Sequence, residues 1–317
     1  MNQTHSRLLP ENWHGKRYYS LDAYLKNTYG KKLKKIAIRA GFTCPNRDGT
    51  LDTRGCIFCS EGGSGDFAVP YAAIETSEPY IAYFQAYTCT YAPVPYLNRL
   101  YRDALENPLV AGISIATRPD CLPPEVLSLL SVCKNDYPNK FIWMELGLQT
   151  IHEKTACYIR RGYSLECFGG AVRQLHSLQI PVIVHIILGL PGENSAMALQ
   201  TVEYLNKLPI DGIKLQLLHI LKGTDLADDY SRGLFPALSM DEYLELLIGC
   251  ICHLSPDTVI HRVTGDGPKE LLIAPLWSRN KKNVLNSLHR RMKLEDAYQG
   301  KYWKGNMPYD PGTAYSL

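Results

Sequence analysis

The sequence predicts an α/β fold: a parallel sheet curled into a partial, TIM-like barrel of six βα units, (β/α)6, with an α-rich C-terminal extension. Three observations predict it. Short apolar runs alternate with helical patterns from residue 33 onward. The units recur about every 30 residues, the size of a βαβ step. Polar residues gather at the ends of the runs, where a parallel barrel builds its active site. Six units close only part of an eight-stranded barrel and leave an open side for a large substrate.

The elements follow in order. LKKIAIRA (33–40) is the first strand and leads into a loop bearing three cysteines. YIAYFQA (80–86) is the second, ending at Gln85 and followed by a loop with Pro93 and Pro95 and a helix to about Asn107. GISIA (112–116) precedes Arg118 and Asp120 and a helix from Pro124. FIWMELGLQ (141–149) precedes a helix over 165–178. PVIVHIILG (181–189) runs into LPGE and a helix over 195–207. GIKLQLLHIL (212–221), with His219 near its end, precedes a helix ending near Arg232. The expected organisation is a basic segment (1–32), the barrel (33–235), and an extension packed on it (236–317). Ile, Leu and Val of the strands are expected to form barrel walls that exclude water.

The cysteine loop, GFTCPNRDGTLDTRGCIFCSEGGSG, spaces Cys44, Cys56 and Cys59 as C-x11-C-x2-C. Three thiolates can hold three irons of a cubic iron–sulfur cluster and leave the fourth open for a catalytic ligand. Zinc is an alternative, although it usually takes four ligands and no second pair lies nearby. Unligated thiols are another. A redox CxxC would open a helix, whereas this one runs into Ser60-Glu61-Gly62-Gly63.

Glu145 and Gln149 are four apart and share a face of a regular strand. An ionisable residue in WMELGLQ is costly unless paired, so a satisfied structural carboxylate is the competing reading for Glu145. His185 in VIVHIILG carries the same ambiguity between a barrel-lining residue and a catalyst.

Ten cysteines without a secretory signal core are not a disulfide framework, and no run of about 18 apolar residues offers a membrane span, so a cytoplasmic protein is expected. Net charge is +3, unevenly spread: residues 1–35 carry eight Lys/Arg against two acids, and 260–317 carry ten against five. Basic ends around an acidic middle suggest a polyanionic partner; solvated lysine-rich faces are the bland alternative. Lys281, Lys282, Arg290 and Arg291 fall on one expected helix.

CPNRDGTLDTRGCIFC, SIATRPDCL, ELGLQT with RRGY, and HIILGLPGE together resemble the radical S-adenosylmethionine (SAM) enzymes. The resemblance extends to the branch related to the Elongator catalytic subunit, and to its bacterial YhcC/YtqA-type subfamily through TGDGPKELLIAPLWSRNKKNVLN (264–286). The eleven-residue first interval matches that branch, whereas the wider superfamily uses three. Too little chain follows the sixth strand for the acetyltransferase domain of the Elongator subunit.

The resemblance implies a radical SAM-type barrel, a [4Fe–4S] cluster on Cys44, Cys56 and Cys59, and S-adenosylmethionine on the open iron. It places Phe58 against the adenine, Gly62 and Gly63 at the methionine amine, Glu145 and Gln149 at the ribose, and Arg161 at the carboxylate. Gly189 to Gly192 form the turn beneath the adenine, and Arg118 and Asp120 match the TRPD segment. The implied chemistry is reductive cleavage to a 5′-deoxyadenosyl radical, with an electron donor such as flavodoxin or ferredoxin. The implied substrate is tRNA, whose wobble carboxymethylaminomethyl-uridine becomes aminomethyl-uridine, held partly by Lys281, Lys282, Arg290 and Arg291. Two alternatives remain: a radical enzyme on a small metabolite, and a non-catalytic metal-stabilised RNA-binding protein.

Overall fold

The computed structural model describes residues 9–63, 65–265 and 267–305. Residues 1–8 of the basic N-terminal segment and 306–317 of the extension lie outside the described residues. Helix α1 (Leu21–Tyr29), capped by Ser20, precedes β1 (Lys34–Arg39). The cysteine loop and β2 (Val69–Pro70) lead to β3 (Tyr80–Phe84). Helix α2 (Val94–Glu106) and β4 (Val110–Thr117) follow, then α3 (Pro124–Asp136) and β5 (Phe141–Gln149). Prolines within the first turns of α2 and α3 fix their starts, where a missing N–H costs nothing. Next come α4 (Glu153–Tyr158), α5 (Leu165–Ser177) capped by Ser164, and β6 (Val182–Leu188). Helix α6 (Ser195–Leu205), capped by Asn194, connects to β7 (Gly212–Leu217).

The six expected strands all form, and β1-β3-β4-β5-β6-β7 are neighbours in that order, each pair parallel. After β7 come β8 (Ile220–Leu221), α7 (Asp225–Ser231) and α8 (Met240–His253), whose Ser239–Glu242 capping box fixes its start. Then β9 (Val259–Arg262) adds to the sheet beyond β7, parallel to it. Strand β10 (Leu272–Ala274) pairs antiparallel with β8, and α9 (Lys281–Leu294) packs on α8. The sheet therefore crosses the boundary expected at residue 235. With β2 at the other edge it has eight strands in all. Neither added strand was legible, because two and four residues are too short to show a period.

Alternation along the strands decides what faces the barrel interior. On β5, Ile142, Met144, Leu146 and Leu148 join the large core packed under the helices. Trp143, Glu145 and Gln149 take the opposite face. At the N-terminal end of the barrel, Ile81, Trp143 and Ile183 pack with Leu25 of α1 and Leu33 as an apolar plug. Above the plug the interior is charged: Lys35, Tyr83, Ser114, Glu145, His185 and Lys214 meet there, one from each of six strands. The interior at this level is thus not the expected wall of Ile, Leu and Val. Those side chains face outward, because strands covered by helices bury their apolar face against them.

Residues 17–20 and 289–299 meet at the far edge of β9. Ile260 accepts Ser20 as a parallel bridge partner and donates its N–H to Tyr19 O at 2.8 Å. Gln299 receives Tyr19 N–H and donates to Ser255 and Thr258 carbonyls. Tyr18 stacks on His289 of α9 at 5.8 Å, and Arg17 bridges Asp296 at 2.9 Å.

Candidate active site

The loop after β1 folds back on itself, which explains its long interval. Gly55 N–H donates to Asn46 O at 2.6 Å and Leu51 N–H to Pro45 O at 2.8 Å, closing residues 45–55 into a sub-loop. Cys56 thereby returns beside Cys44. Gly55 sits at φ 77°, and a Cβ there would meet Arg47 Nε at 2.7 Å. The Arg47 guanidinium holds the second turn, donating to the carbonyls of Cys59 and Ser60, each at 2.7 Å. Asn46 Nδ2 donates to Arg160 O at 2.6 Å and to Cys56 Sγ at 3.5 Å. Sequence reading missed both Asn46 and Arg47.

Cys44, Cys56 and Cys59 line one cavity of about 250 Å³ at the C-terminal mouth of the barrel. Burial, and then the neighbouring Cys59 and Cys44, push the Cys56 thiol up to about 12. A bound cation reverses that preference, since it stabilises thiolate. Among the described residues, no three His, Cys, Asp or Glu side chains are grouped to hold a single metal ion.

Phe58, Gly63, Arg118, Glu145, Gln149 and Arg161 line the same cavity. Gly62, Asp120, Gly189 and Gly192 do not. Gly63 sits at φ 60°, where a Cβ would run into the Tyr87 ring, so its missing side chain makes room for that ring. Leu190, between Gly189 and Gly192, packs with Ile57 and Ile187, so the turn supports the cysteine loop from behind.

The two arginines have protein partners. Arg118 forms a bidentate pair with Asp120 at 2.9 and 2.7 Å and donates to Arg161 O. Arg161 is 1% exposed and donates to Thr150 O at 2.6 Å and Tyr163 O at 2.9 Å. The Tyr163 ring, which sequence reading passed over, lies 4.9 Å from the Arg118 guanidinium and 5.2 Å from that of Arg161. Arg161 therefore fastens the end of β5 to the following turn while lining the cavity.

Glu145 also has protein partners. Both oxygens are engaged: Oε1 by Lys35 and by Ser114 at 2.7 Å, Oε2 by Lys214 and by His185 at 2.7 Å. Lys214 and Lys35 hold the carboxyl well below its usual range against the opposing effect of burial. The ribose contact expected of Glu145 is not supported; its pairing answers the desolvation cost that the sequence posed. Gln149 turns into φ 66° after a register shift, and its Oε1 is a buried acceptor without a hydrogen-bond partner. Lys35, Tyr83 and Lys214 were overlooked, although a lysine inside GIKLQLL is as unusual as a glutamate inside WMELGLQ.

On α9, Lys281, Lys282 and Arg290 are exposed. Arg291 is half-buried: it pairs with Glu295 at 2.6 Å and donates to Asp241 O at 3.1 Å, tying α9 to α8. Its guanidinium thus has a packing role besides the phosphate contact expected of it. No residue of α9 lines the cavity.

Residues 53–205 match the Radical SAM superfamily, and residues 210–294 match the Radical_SAM C-terminal domain. The chain is 41% identical to YtqA of Bacillus subtilis, over 91% of this chain and 94% of that protein. The chain belongs to the radical SAM superfamily. It is also 36% identical to YhcC of Escherichia coli, over 87% of this chain and 92% of that one. Among solved structures, an archaeal Elp3 from Methanocaldococcus infernus, lacking its first 46 residues, superposes with a TM-score of 0.59 at 17% identity. That match covers 75% of this chain and 61% of the other, and it shows the shared fold.

As a radical SAM enzyme, the protein uses a [4Fe–4S] cluster and S-adenosylmethionine, and such enzymes draw on an electron donor. The cavity fits both groups. Three thiols border a space of the kind a multi-iron core fills, and the buried Gln149 Oε1 is an acceptor awaiting a donor, such as a ribose hydroxyl. No described helix is long and apolar enough to cross a membrane.

Proposed function

We propose that this radical SAM enzyme modifies tRNA, converting wobble carboxymethylaminomethyl-uridine to aminomethyl-uridine, with flavodoxin or ferredoxin as electron donor. In this reading Cys44, Cys56 and Cys59 hold the cluster, and Phe58, Gly63 and Gln149 bound S-adenosylmethionine. When bound, the two groups supply reductive cleavage and hydrogen abstraction from an unactivated carbon. The chain's own residues have three tasks. Asn46 and Arg47 hold the cysteine loop in shape, and the Asn46 amide donates to Cys56 Sγ, a contact that tunes a sulfur-ligated centre. Arg118, Arg161 and Tyr163 brace the wall beside that loop. The apolar plug closes the far end of the barrel against water.

One observation carries the tRNA assignment: two segments from the basic regions, around Lys16–Ser20 and around α9, lie side by side although most of the chain separates them. Lys16 and Arg17 lie beside α9 through the Tyr18–His289 stack and the Arg17–Asp296 bridge. This joint flanks β9, whose Arg262 lines the cavity. Exposed cations of α9 grouped with the Lys16–Ser20 segment beside β9 suit a polyanion too large to enter the cavity. The testing experiment is nucleoside profiling of tRNA from a strain lacking the protein, followed by in vitro turnover of that tRNA. Carboxymethylaminomethyl-uridine should accumulate and be consumed by the reconstituted enzyme. Unchanged wobble nucleosides would remove the tRNA assignment.

A further inference from the structure

The charged layer inside the barrel holds more positive than negative charge. Lys35, Lys214 and Arg262 come from β1, β7 and β9, and Arg262 is the register partner of Lys214. Glu145 is the one carboxylate bonded into the layer among the described residues. His185 lies between Glu145 and Lys214 and is neutral, since burial and Lys214 push it down to about 4. Lys214 is the buried cation of the three, and it shares Glu145 with Lys35, so a further anion would complete its pairing.

Lys214 is the member placed to receive that anion. It lines the cavity bordered by the three cysteines, and it is 3% exposed. Glu145 holds its ammonium from one side and Tyr83 Oη accepts from it at 3.1 Å on another. An ammonium has three donors, so this arrangement aims the head group while leaving one N–H. Gln85 and Gln216, further along the strands toward the mouth, give the route inward a polar lining.

We propose that Lys214 anchors a carboxylate of the substrate at the floor of the cavity. The inference rests on the reading of the substrate as carboxymethylaminomethyl-uridine, whose glycine-derived arm ends in a carboxylate. Anchoring that carboxylate fixes the adjacent methylene inside the cavity while the tRNA body stays on the exposed cations beside β9. Lys35 and Glu145 position the anchor; neither touches substrate.

The test compares two substrates on the reconstituted holoenzyme: tRNA bearing the carboxymethylaminomethyl arm, and the same tRNA with the arm's carboxylate converted to the amide. Substrate-dependent 5′-deoxyadenosine formation is measured for wild type and Lys214→Met, with melting temperatures alongside. Wild type is expected to prefer the acid about 10- to 100-fold, the worth of one charge-assisted hydrogen bond. Lys214→Met should bring the two substrates to within about twofold, and Lys214→Arg should keep most of the preference. If Lys214→Met does not fold, Lys214→Met with Glu145→Gln removes both charges together and is read the same way. Retained preference in either Met variant overturns the anchor and leaves the substrate reading intact. A loss traced to weaker S-adenosylmethionine binding also overturns it, by assigning Lys214 to the cofactor. Wild-type failure on both substrates, or equal use of them, overturns it as well; failure on both removes the substrate reading too.

Discussion

Glu145 Oε2 on β5 lies 2.7 Å from His185 Nε2 on β6, and the same oxygen accepts from Lys214 on β7. One carboxylate thus holds three strands of the barrel together, with Lys35 of β1 and Ser114 of β4 on its other oxygen. Glu145→Gln leaves buried Lys214 and half-buried Lys35 without their counter-charge. Breaking a buried pair from one side costs about 3–5 kcal/mol, so a large fall in melting temperature is expected. Adding Lys214→Met should recover part of it, because the unpaired charge goes with its partner. Thermal unfolding of the single and double variants checks both statements, and an unchanged Glu145→Gln would show the network to be dispensable.

The same network sets a pH dependence. His185 is held down to about 4 by burial, then by Lys214, with Glu145 opposing and Arg262 adding to the fall. The unfolded chain, near 6.5, therefore binds a proton that the folded state refuses between about 4 and 6.5. Stability from His185 is complete above about 6.5 and is lost as pH falls toward 4. His185→Gln should flatten the stability profile across this window, by at most about 3 kcal/mol. Denaturant midpoints at a series of pH values read it directly. His261, also held below its ordinary value chiefly by burial, should leave some slope behind.

The cysteine loop gives a sharper contrast. Cys56→Ala should lose the cluster and S-adenosylmethionine cleavage, whereas Cys157→Ala, exposed on α4, should lose neither. Asn46→Ala should keep the cluster but lower its reduction potential, since Cys56 Sγ loses an N–H donor. It should also destabilise by about 1–3 kcal/mol, because Arg160 O loses a partner. Iron and sulfide analysis with redox titration separates the three variants. Equal iron loss in Cys56→Ala and Cys157→Ala would remove the loop from the cluster.

The six strands were legible because each is a segment of five or more residues, rich in apolar side chains, between turn signals. The thiols were legible because three cysteines in sixteen residues stand out against a scattered background. What escaped depends on pairing between distant strands. Lys35 and Lys214 are far apart in sequence and meet only when the sheet curls, so neither explained Glu145 until β1 and β7 faced β5. Arg291 looked like its neighbour Arg290, and only the packing of α9 on α8 tells them apart. The juncture of the two basic segments was invisible for the same reason, since it rests on contacts between residues far apart in sequence: Ser20 with Ile260, Tyr19 with Gln299, Tyr18 with His289 and Arg17 with Asp296.

That juncture carries the last prediction. Lys281→Ala, Lys282→Ala and Arg290→Ala, made together on the exposed face of α9, should weaken tRNA binding and reduce its salt slope by about 0.9 for every phosphate no longer neutralised. Lys16→Ala should act in the same direction, because Tyr18 stacked on His289 holds that segment beside α9. Arg291→Ala should instead lower the melting temperature, since its guanidinium joins α9 to α8 through Asp241 O and Glu295. Filter binding of tRNA across a salt series, with iron content as a control for the barrel, distinguishes these effects. Wild-type affinity and slope in the triple variant would take α9 out of the substrate path. A loss of affinity in Arg291→Ala without a change in melting temperature would assign that arginine to the binding surface.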